Sequence, residues 1–588
     1  MKYNSDAFCF LLIFSLLIIH AFFGINTTDP GYTLTKAWNF NLGNFSLETD
    51  YIWGSNYLIS KWLSLGHFPS LLWLYSGYAL QTAIIIFFSN KTVSLFCRQS
   101  TMTKIIISIT SAGFITIRAM HSYYGNLPAC IIIIASYLYW YGIKNKKRVM
   151  ILFAGIAIGF SIHCRLPHLL FLILPFCLYI YQIIINSISK KQLNFYPLIM
   201  TMGILAGLSL GFLILAINNN ATTYIKVLRQ LCISVFSESS KKYRETSLYE
   251  SSNVLRRFLS ECAKTLILTF SLIFSIALSN FAISRKKLKN FYSLAFTLTI
   301  EVIALFAFLP DYFLYIILAN IICLFFFYIS NNFKSESFFE TLAAILFSIF
   351  IALSCSIGSD TGFRAIFTSG AVVFPLCLSL SLSFYCATIK DFSAGQFNIS
   401  ANNNFFSFLS KLLSLILFIV SLITFSTWKP IRGGCEHFSD LKTSDKILSI
   451  KGVYSKSSRI DCLEELYIFC KNQNNWQESP VLVLNSAPLL YPILNKTYEI
   501  KNTWGPWIFL NSSEEFFKLL NEYNSKREEL YIILATSAQR TDSWPDYSLP
   551  TVMNGYEERY LKTVKWLKEE KYEKIFTNAG FAVYRKSQ

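Results

Sequence analysis

Runs of about twenty apolar residues recur along most of this chain, and nothing else in it limits the fold so strongly. A run of that length matches the hydrocarbon thickness of a bilayer, and a soluble domain has no interior in which to hide so many. The 588 residues are 53% hydrophobic and 17% aromatic, and the mean hydropathy is +0.44. Runs of spanning length begin near residues 8, 69, 104, 126, 149, 167, 196, 263, 290, 312, 338, 366 and 407, about thirteen in all. The expected fold class is therefore a polytopic α-helical membrane protein. The first run, residues 8–24, is followed by no small-x-small cleavage site, so it reads as a retained anchor helix.

The net charge of +18 sits largely in short clusters between the runs. With the N-terminus in the cytoplasm, Lys144-Asn145-Lys146-Lys147-Arg148, Lys190-Lys191 and Arg285-Lys286-Lys287-Leu288-Lys289 all fall on the cytoplasmic side. Positive charge on that side is what membrane insertion selects. The exception is the loop of residues 218–262, whose Lys226, Arg229, Lys241, Lys242, Arg244, Arg256 and Arg257 lie outside; a basic outer loop suits a phosphate-bearing lipid. This is charge arranged for an anionic membrane, with no nucleic-acid partner indicated. The expected location is the bacterial cytoplasmic membrane, and an odd number of spans puts the C-terminus on the extracytoplasmic side.

Near residue 427 the composition changes, dividing the chain into a membrane unit, 1–427, and an α/β unit, 428–588. Val481-Leu482-Val483-Leu484 and Leu530-Tyr531-Ile532-Ile533-Leu534 read as buried strands. Ser512-Ser513-Glu514-Glu515 opens a helix, residues 557–571 form an amphipathic one, and a hairpin turns at Asn578-Ala579-Gly580. The fourteen Cys are mostly isolated in apolar runs, with no zinc spacing; in an oxidising compartment Cys435 with Cys462 is the pairing to test.

The same span count gathers unusual polar residues at the outer ends of the spans. Asn26-Thr27-Thr28-Asp29-Pro30-Gly31-Tyr32 reads as a turn just outside the first span, with Asp50 further along the same loop. His121 and Tyr124 lie in the second outer loop, Arg165 and His168 in the third, and Asp360 and Arg364 near a later one. Ionisable groups near membrane depth are costly and call for a functional explanation. A carboxylate such as Asp29 can serve as a general base; its structural alternative is a helix cap. Arg165 and Arg364 can grip a phosphate with two parallel hydrogen bonds, or simply snorkel to the interface. His121 and Tyr124 suit a sugar or an aromatic belt, and Gly358-Ser359-Asp360-Thr361-Gly362 suits an anion cradle or a plain turn. The chain has no Walker loop, no G-x-S-x-G and no HExxH, which argues against an ATP-driven transporter, the common hydrolases and zinc proteases.

An anchor helix, the loop Thr28-Asp29-Pro30-Gly31-Tyr32, many spans and an outer α/β tail resemble the GT-C glycosyltransferases. The bacterial protein-mannosyltransferase and aminoarabinose-transferase type is the subgroup most resembled. Its first-loop motif is Asp-Glu, a turn and Tyr; Asp29 and Tyr32 match, and Pro30 replaces the Glu. Tyr124-Gly125-Asn126-Leu127 and Ile162-His163-Cys164-Arg165-Leu166-Pro167 are similar to stretches of uncharacterised proteins of this class. The resemblance implies a polyprenyl-phosphate-sugar donor gripped by Arg165 and Arg364. It makes Asp29 catalytic; Tyr32, Asp50, His121, Tyr124, Arg165, His168, Asp360 and Arg364 are the candidate substrate-binding residues. The acceptor would be a glycan, lipid or protein, with inversion at the sugar carbon. A divalent metal assists some relatives, and no ligand spacing for one stands in the sequence. The competing readings are a flippase of lipid-linked sugars and an O-antigen polymerase or ligase.

Overall fold

A computed structural model describes residues 2–27, 29–43, 53–66, 68–95, 99, 101–118, 123–177, 179–180, 183, 195–236, 354, 375–376, 379, 438–484, 487–497, 513–525, 529–535 and 557–586. The expected spans beginning at 263, 290, 312, 338, 366 and 407 lie largely or wholly outside these residues. So do Cys435, Asp50, His121, Asp360 and Arg364.

Nine helices stand in the described part of the membrane unit: α1 (Lys2–Ala21), α2 (Asp29–Asn41), α3 (Trp53–Ser64), α4 (Leu71–Ser94), α5 (Thr101–Arg118), α6 (Tyr123–Lys144), α7 (Arg148–Cys164), α8 (Tyr196–Ile217) and α9 (Ala221–Phe236). Among the described residues three are long and apolar enough to cross a membrane: Leu71–Ser94, Asn126–Lys144 and Tyr196–Ile217. Shorter apolar helices, Asp6–Ala21, Thr103–Ala112, Arg148–Cys164 and Leu166–Cys177, accompany them. The segment after α7 begins as a 3-10 helix, Leu166–Ile173, instead of an α-helix. Pro167 stands in its first turn, where a helix needs no N–H.

Glycines join α7 to α8. Gly155 and Gly159 on one helix face Gly203 and Gly207 on the other, so the two backbones touch. A Cβ at Gly159 would stand 2.1 Å from the Ile204 carbonyl oxygen, and one at Gly207 would stand 2.1 Å from that of Ile156. Such small-xxx-small faces let helices pack closely in lipid, where apolar burial gives no drive. The rest of α8 presents Leu198, Met202, Leu205 and Leu213 outward.

The two ends of the bundle differ. At one, Asp6 near the start of α1 pairs with Lys91 at the end of α4 and, at 2.8 Å, with Lys104 of α5. The basic cluster Lys144–Arg148 lies between α6 and α7, hence at that end too. At the other end, where a turn was expected after α1, residues from Asp29 form α2. Pro30 is tolerated there because a helix needs no N–H in its first turn. The turn joining α3 to α4 is fixed by Trp62 and Trp73, stacked at 4.8 Å, each indole N–H donating to the other's carbonyl.

This second end carries the α/β unit. Strands β3 (Val481–Leu484) and β4 (Tyr531–Ala535) pair parallel; β6 (Phe581–Lys586) runs antiparallel to β4 and to β5 (Tyr572–Thr577), giving the order β3-β4-β6-β5. Asn578 shapes the hairpin by accepting from the Gly580 and Phe581 N–H groups. A short pair, β1 (Leu441–Lys442) with β2 (Ser455–Lys456), precedes the sheet. Alternation divides the sheet's two faces. Leu482, Leu484, Ile532 and Leu534 pack with side chains of α11 (Ser513–Ser525) and α12 (Glu557–Glu569). Val481, Val483, Ile533 and Val583 join a core that includes Ile25, Leu34, Ala37, Leu63, Leu71 and Tyr75 of the membrane unit.

Two cysteines lie on α10 (Ser457–Lys471), and both are buried thiols. Of the expected Cys435–Cys462 pairing, Cys435 lies outside the described residues; the Cys462 sulfur is buried against the hairpin and donates to Asn578 Oδ1 at 3.2 Å. Burial pushes that thiol up to about 12, so it stays protonated. Glu464 on the same helix is buried, which raises its pKa. The Ser444 hydroxyl at 2.6 Å, with Lys446 and Lys442, more than offsets this and leaves the net shift downward.

Two outcomes follow from these contacts. Gly159→Ala and Gly207→Ala should each destabilise the protein in detergent by about 1–3 kcal/mol or more, read as a lower unfolding temperature, because overpacking meets backbone that cannot yield. The lowered Glu464 pKa contributes stability that is full above the ordinary glutamate value and is lost as pH falls through the folded one. The unfolding temperature of the wild type should therefore drop more steeply below about pH 4.3 than that of Glu464→Gln.

Candidate active site at the capped end of the bundle

The carboxylate on which the sequence reading turns opens α2. Asp29 is the first residue of that helix, where a negative charge meets the partial positive charge of the helix N-terminus. Its side chain lies outside the described atoms, as does that of Tyr124. Around it the backbone is tied down by distant segments. The Gly24 N–H donates to the Tyr454 carbonyl at 2.8 Å, and the Tyr454 N–H to that of Phe22 at 2.6 Å. Leu489 N–H donates to the Thr27 carbonyl at 3.2 Å, and the buried Arg459 reaches the Ile25 carbonyl at 3.2 Å. The Thr35 hydroxyl donates to the Pro488 carbonyl at 2.8 Å. Gly31 is needed here for space, since a Cβ would stand 2.5 Å from the Leu489 nitrogen.

Tyr32 and Lys36 follow on α2, both buried, with Lys36 fully so. A seven-residue interval is two helical turns, so Lys36 shares a face with Asp29. From α2 the packing passes to α3, whose first turn meets the end of α7. The Ser55 hydroxyl donates to the Cys164 carbonyl at 3.1 Å, and Gly54 leaves room for the His163 backbone. Asn126, in the first turns of α6, is fully buried, and neither its amide oxygen nor its amide nitrogen has a hydrogen-bond partner among the described residues.

Arg165 links α7 to the 3-10 helix, its extended backbone (φ −156°, ψ 112°) ending one and starting the other. The side chain is 6% exposed, and Nε donates to the Ser354 carbonyl at 3.2 Å. Ser354 precedes the Gly358–Arg364 stretch by four residues of sequence. His168 is buried three residues on, its Nδ1 3.0 Å from the Ser161 hydroxyl. That hydroxyl also lies 2.7 Å from the Ile158 carbonyl. Two oxygens at that distance need a proton between them, and the carbonyl has none to give. Ser161 therefore spends its proton on Ile158 and accepts from His168 Nδ1–H, so the neutral imidazole keeps its lone pair on Nε2.

His163 lies deeper, its Nε2–H donating to the Leu208 carbonyl at 3.1 Å. Trp53, Phe212, Tyr224 and Phe160 ring it at centroid distances of 5.4, 5.2, 5.9 and 6.3 Å. Gly211 admits the ring, for a Cβ there would sit 2.1 Å from the imidazole. Among the described residues no three His, Cys, Asp or Glu side chains gather into a metal-holding group.

Of the residues expected from sequence, Asp29, Tyr32, Arg165 and His168 belong to one connected end of the bundle, joined through α3. Asp50, His121, Asp360 and Arg364 lie outside the described residues. Lys36, Asn126, Ser161 and the rings around His163 were not among them. The period Asp29, Tyr32, Lys36 would have revealed Lys36 had residues 29–41 been read as a helix.

The bundle, with its short helices at one end beneath the α/β unit, shares its fold with a solved structure. The particular likeness is to ArnT from Cupriavidus metallidurans, solved bound to undecaprenyl phosphate. It has a TM-score of 0.50 and 10% identity, over 98% of this chain and 97% of that one. The oligosaccharyltransferase of Archaeoglobus fulgidus, solved tethered to an acceptor peptide, gives a TM-score of 0.48 and 11% identity over 98% of this chain and 74% of that one. At 10% identity the likeness to ArnT is one of fold. No protein-family model matches the sequence, and no curated protein matches it.

Because Gly31 seats α2 against Leu489, Gly31→Val should loosen the α/β unit from the bundle. Limited proteolysis of the detergent-solubilised protein should then cut faster between residues 487 and 497 than in the wild type, with membrane insertion unchanged.

Proposed function

We propose that this chain is a GT-C-type glycosyltransferase. It would move a sugar from a polyprenyl-phosphate donor to an envelope glycan, lipid or protein acceptor at the outer face of the bacterial cytoplasmic membrane. The observation that carries this reading is the buried Arg165 at a span end, connected through α3 to the helix that Asp29 opens. The undecaprenyl phosphate in the ArnT structure, on the same fold, supports a lipid phosphate as the anion. In this reading the α/β unit is extracytoplasmic, and the end bearing Asp6, Lys91, Lys104 and the cluster Lys144–Arg148 is cytoplasmic, which agrees with the positive-inside rule.

The roles follow from the chemistry of the groups. Arg165 holds the donor phosphate, since a guanidinium cannot lose its charge when buried and suits two phosphate oxygens at once. Lys36 supplies a second cation on the Asp29 face of α2. Asn126 and His168 Nε2 offer hydrogen bonds to sugar hydroxyls, with His168 held in one tautomer by Ser161. Asp29 takes the proton of the acceptor hydroxyl or amine as its oxygen or nitrogen bonds to the anomeric carbon. The bond from that carbon to the phosphate oxygen breaks, and polyprenyl phosphate leaves carrying the electron pair. Attack opposite the leaving group inverts the centre. The lipid phosphate leaves without help from a nucleotide.

Complementation of a deletion strain, with mass spectrometry of its surface glycan, tests the reading. Wild type should restore a missing sugar, whose mass gives its class, and Asp29→Asn should not, although it inserts normally. Restoration by both would remove Asp29 from the catalytic role. Arg165→Ala should raise the KM for donor more than it lowers kcat; an unchanged KM would exclude its grip on phosphate.

A further inference from the structure

The lipid-facing surface of the bundle does not stop where the helices stop. Along α1, Phe8, Leu11, Ser15 and Ile19 are exposed at helical spacing, forming one stripe that continues into Phe22 just past the helix end. From Phe8 to Phe22 is about 21 Å of helix rise, so the exposed stripe covers roughly two thirds of a bilayer core about 30 Å thick and carries Phe22 toward its far side. There the stripe meets the α/β unit. The Phe22 carbonyl accepts from Tyr454 N–H, and the Tyr454 ring lies 6.1 Å from that of Phe23.

Tyr454 is one of two exposed apolar side chains on a single turn of the α/β unit. The other is Leu448, which is 65% exposed at the head of the 3-10 turn Leu448–Ile450, and Tyr454 is 40% exposed. Gly452, at φ +79°, reverses the chain between them and passes against Leu72 at the start of α4. Leu65, 65% exposed, and Phe68, 44% exposed, precede α4 directly. Ile450 and Val453 of the same turn are fully buried in the shared core, so the turn is rigidly mounted. Lys446 and Lys451 flank it with mostly exposed side chains, facing Glu464 at 3.3 Å and Asp445 at 3.7 Å.

We infer that the turn of residues 446–454 is a membrane foot. Leu448 and Tyr454 would enter the interfacial layer of the lipid leaflet beside α1 and α4, with Lys446 and Lys451 at headgroup level. The apolar patch is continuous with the bundle's own lipid-facing stripe, which makes a bilayer its occupant. A tyrosine at the boundary and lysines beside it are the side chains that favour this layer. The foot would hold the α/β unit at a fixed height over the bundle end.

The test uses the full-length protein in nanodiscs of phosphatidylethanolamine and phosphatidylglycerol. Leu448→Cys and Leu561→Cys each carry a polarity-sensitive fluorophore, read against wild type treated in parallel. Leu561 is equally exposed, but it stands on α12, on the sheet face turned away from the bundle. Both substitutions replace exposed side chains and leave the core intact. Emission from position 448 should be shifted to the blue of that from 561. Phospholipid with brominated acyl chains should quench the label at 448 and spare the one at 561. If neither label is quenched the turn does not enter the leaflet, and if both are quenched alike the contact is no property of the turn; either result overturns the proposal.

Discussion

The segment leaving α1 is held by chain that comes hundreds of residues later, and much of the capped end depends on that join. Arg459 reaches the Ile25 carbonyl across 434 residues of sequence, and Thr35 reaches Pro488 across 453. Backbone hydrogen bonds from Tyr454 and Leu489 add to these. Each bond alone contributes about 1 kcal/mol. Their combined effect is to fix the N-terminus of α2 in direction, since the apolar core behind it is shared by both units. The Asp29 backbone is thereby placed by the α/β unit as much as by the bundle.

The opposite wall of the site is stiffened in another way. In lipid, helices gain nothing from hiding apolar surface, so close packing must supply the attraction. Gly155, Gly159, Gly203 and Gly207 bring α7 and α8 into backbone contact, and Gly211 extends the row to His163. His163 is in turn fixed by the Leu208 carbonyl and by aromatic rings from α3, α7, α8 and α9. Arg165 and His168 begin just beyond this fixed point. They are therefore mounted on a rigid end, which the substrate contacts proposed for them would require.

Much of the bundle could be read from sequence because run length is a direct measure of membrane crossing. The runs expected at 69, 104, 126, 149 and 196 match helices starting at Leu71, Thr101, Tyr123, Arg148 and Tyr196. Helices α2 and α3 escaped because they are short and polar, and because Pro30 and Gly31 suggest a turn. Gly31 answers to Leu489, a neighbour no local pattern can announce. The glycine rows at 155–159 and 203–211 are visible as spacing, a signal that run length alone does not carry. Arg165 and His168 stood out because charged groups at span ends are costly. Ser161 did not, since one serine in an apolar helix carries no signal until its two partners are known.

The long reach of the join has a consequence for how the protein is made. The 434 residues between Ile25 and Arg459 correspond to roughly 20 to 90 s of ribosome time at about 5–20 residues per second. Throughout that interval residues 22–35 have already been made and have none of the partners that later hold them. The bundle end is thus assembled early and closed last, and a chain halted before its final segments carries the parts of the site without the clamp that aligns them.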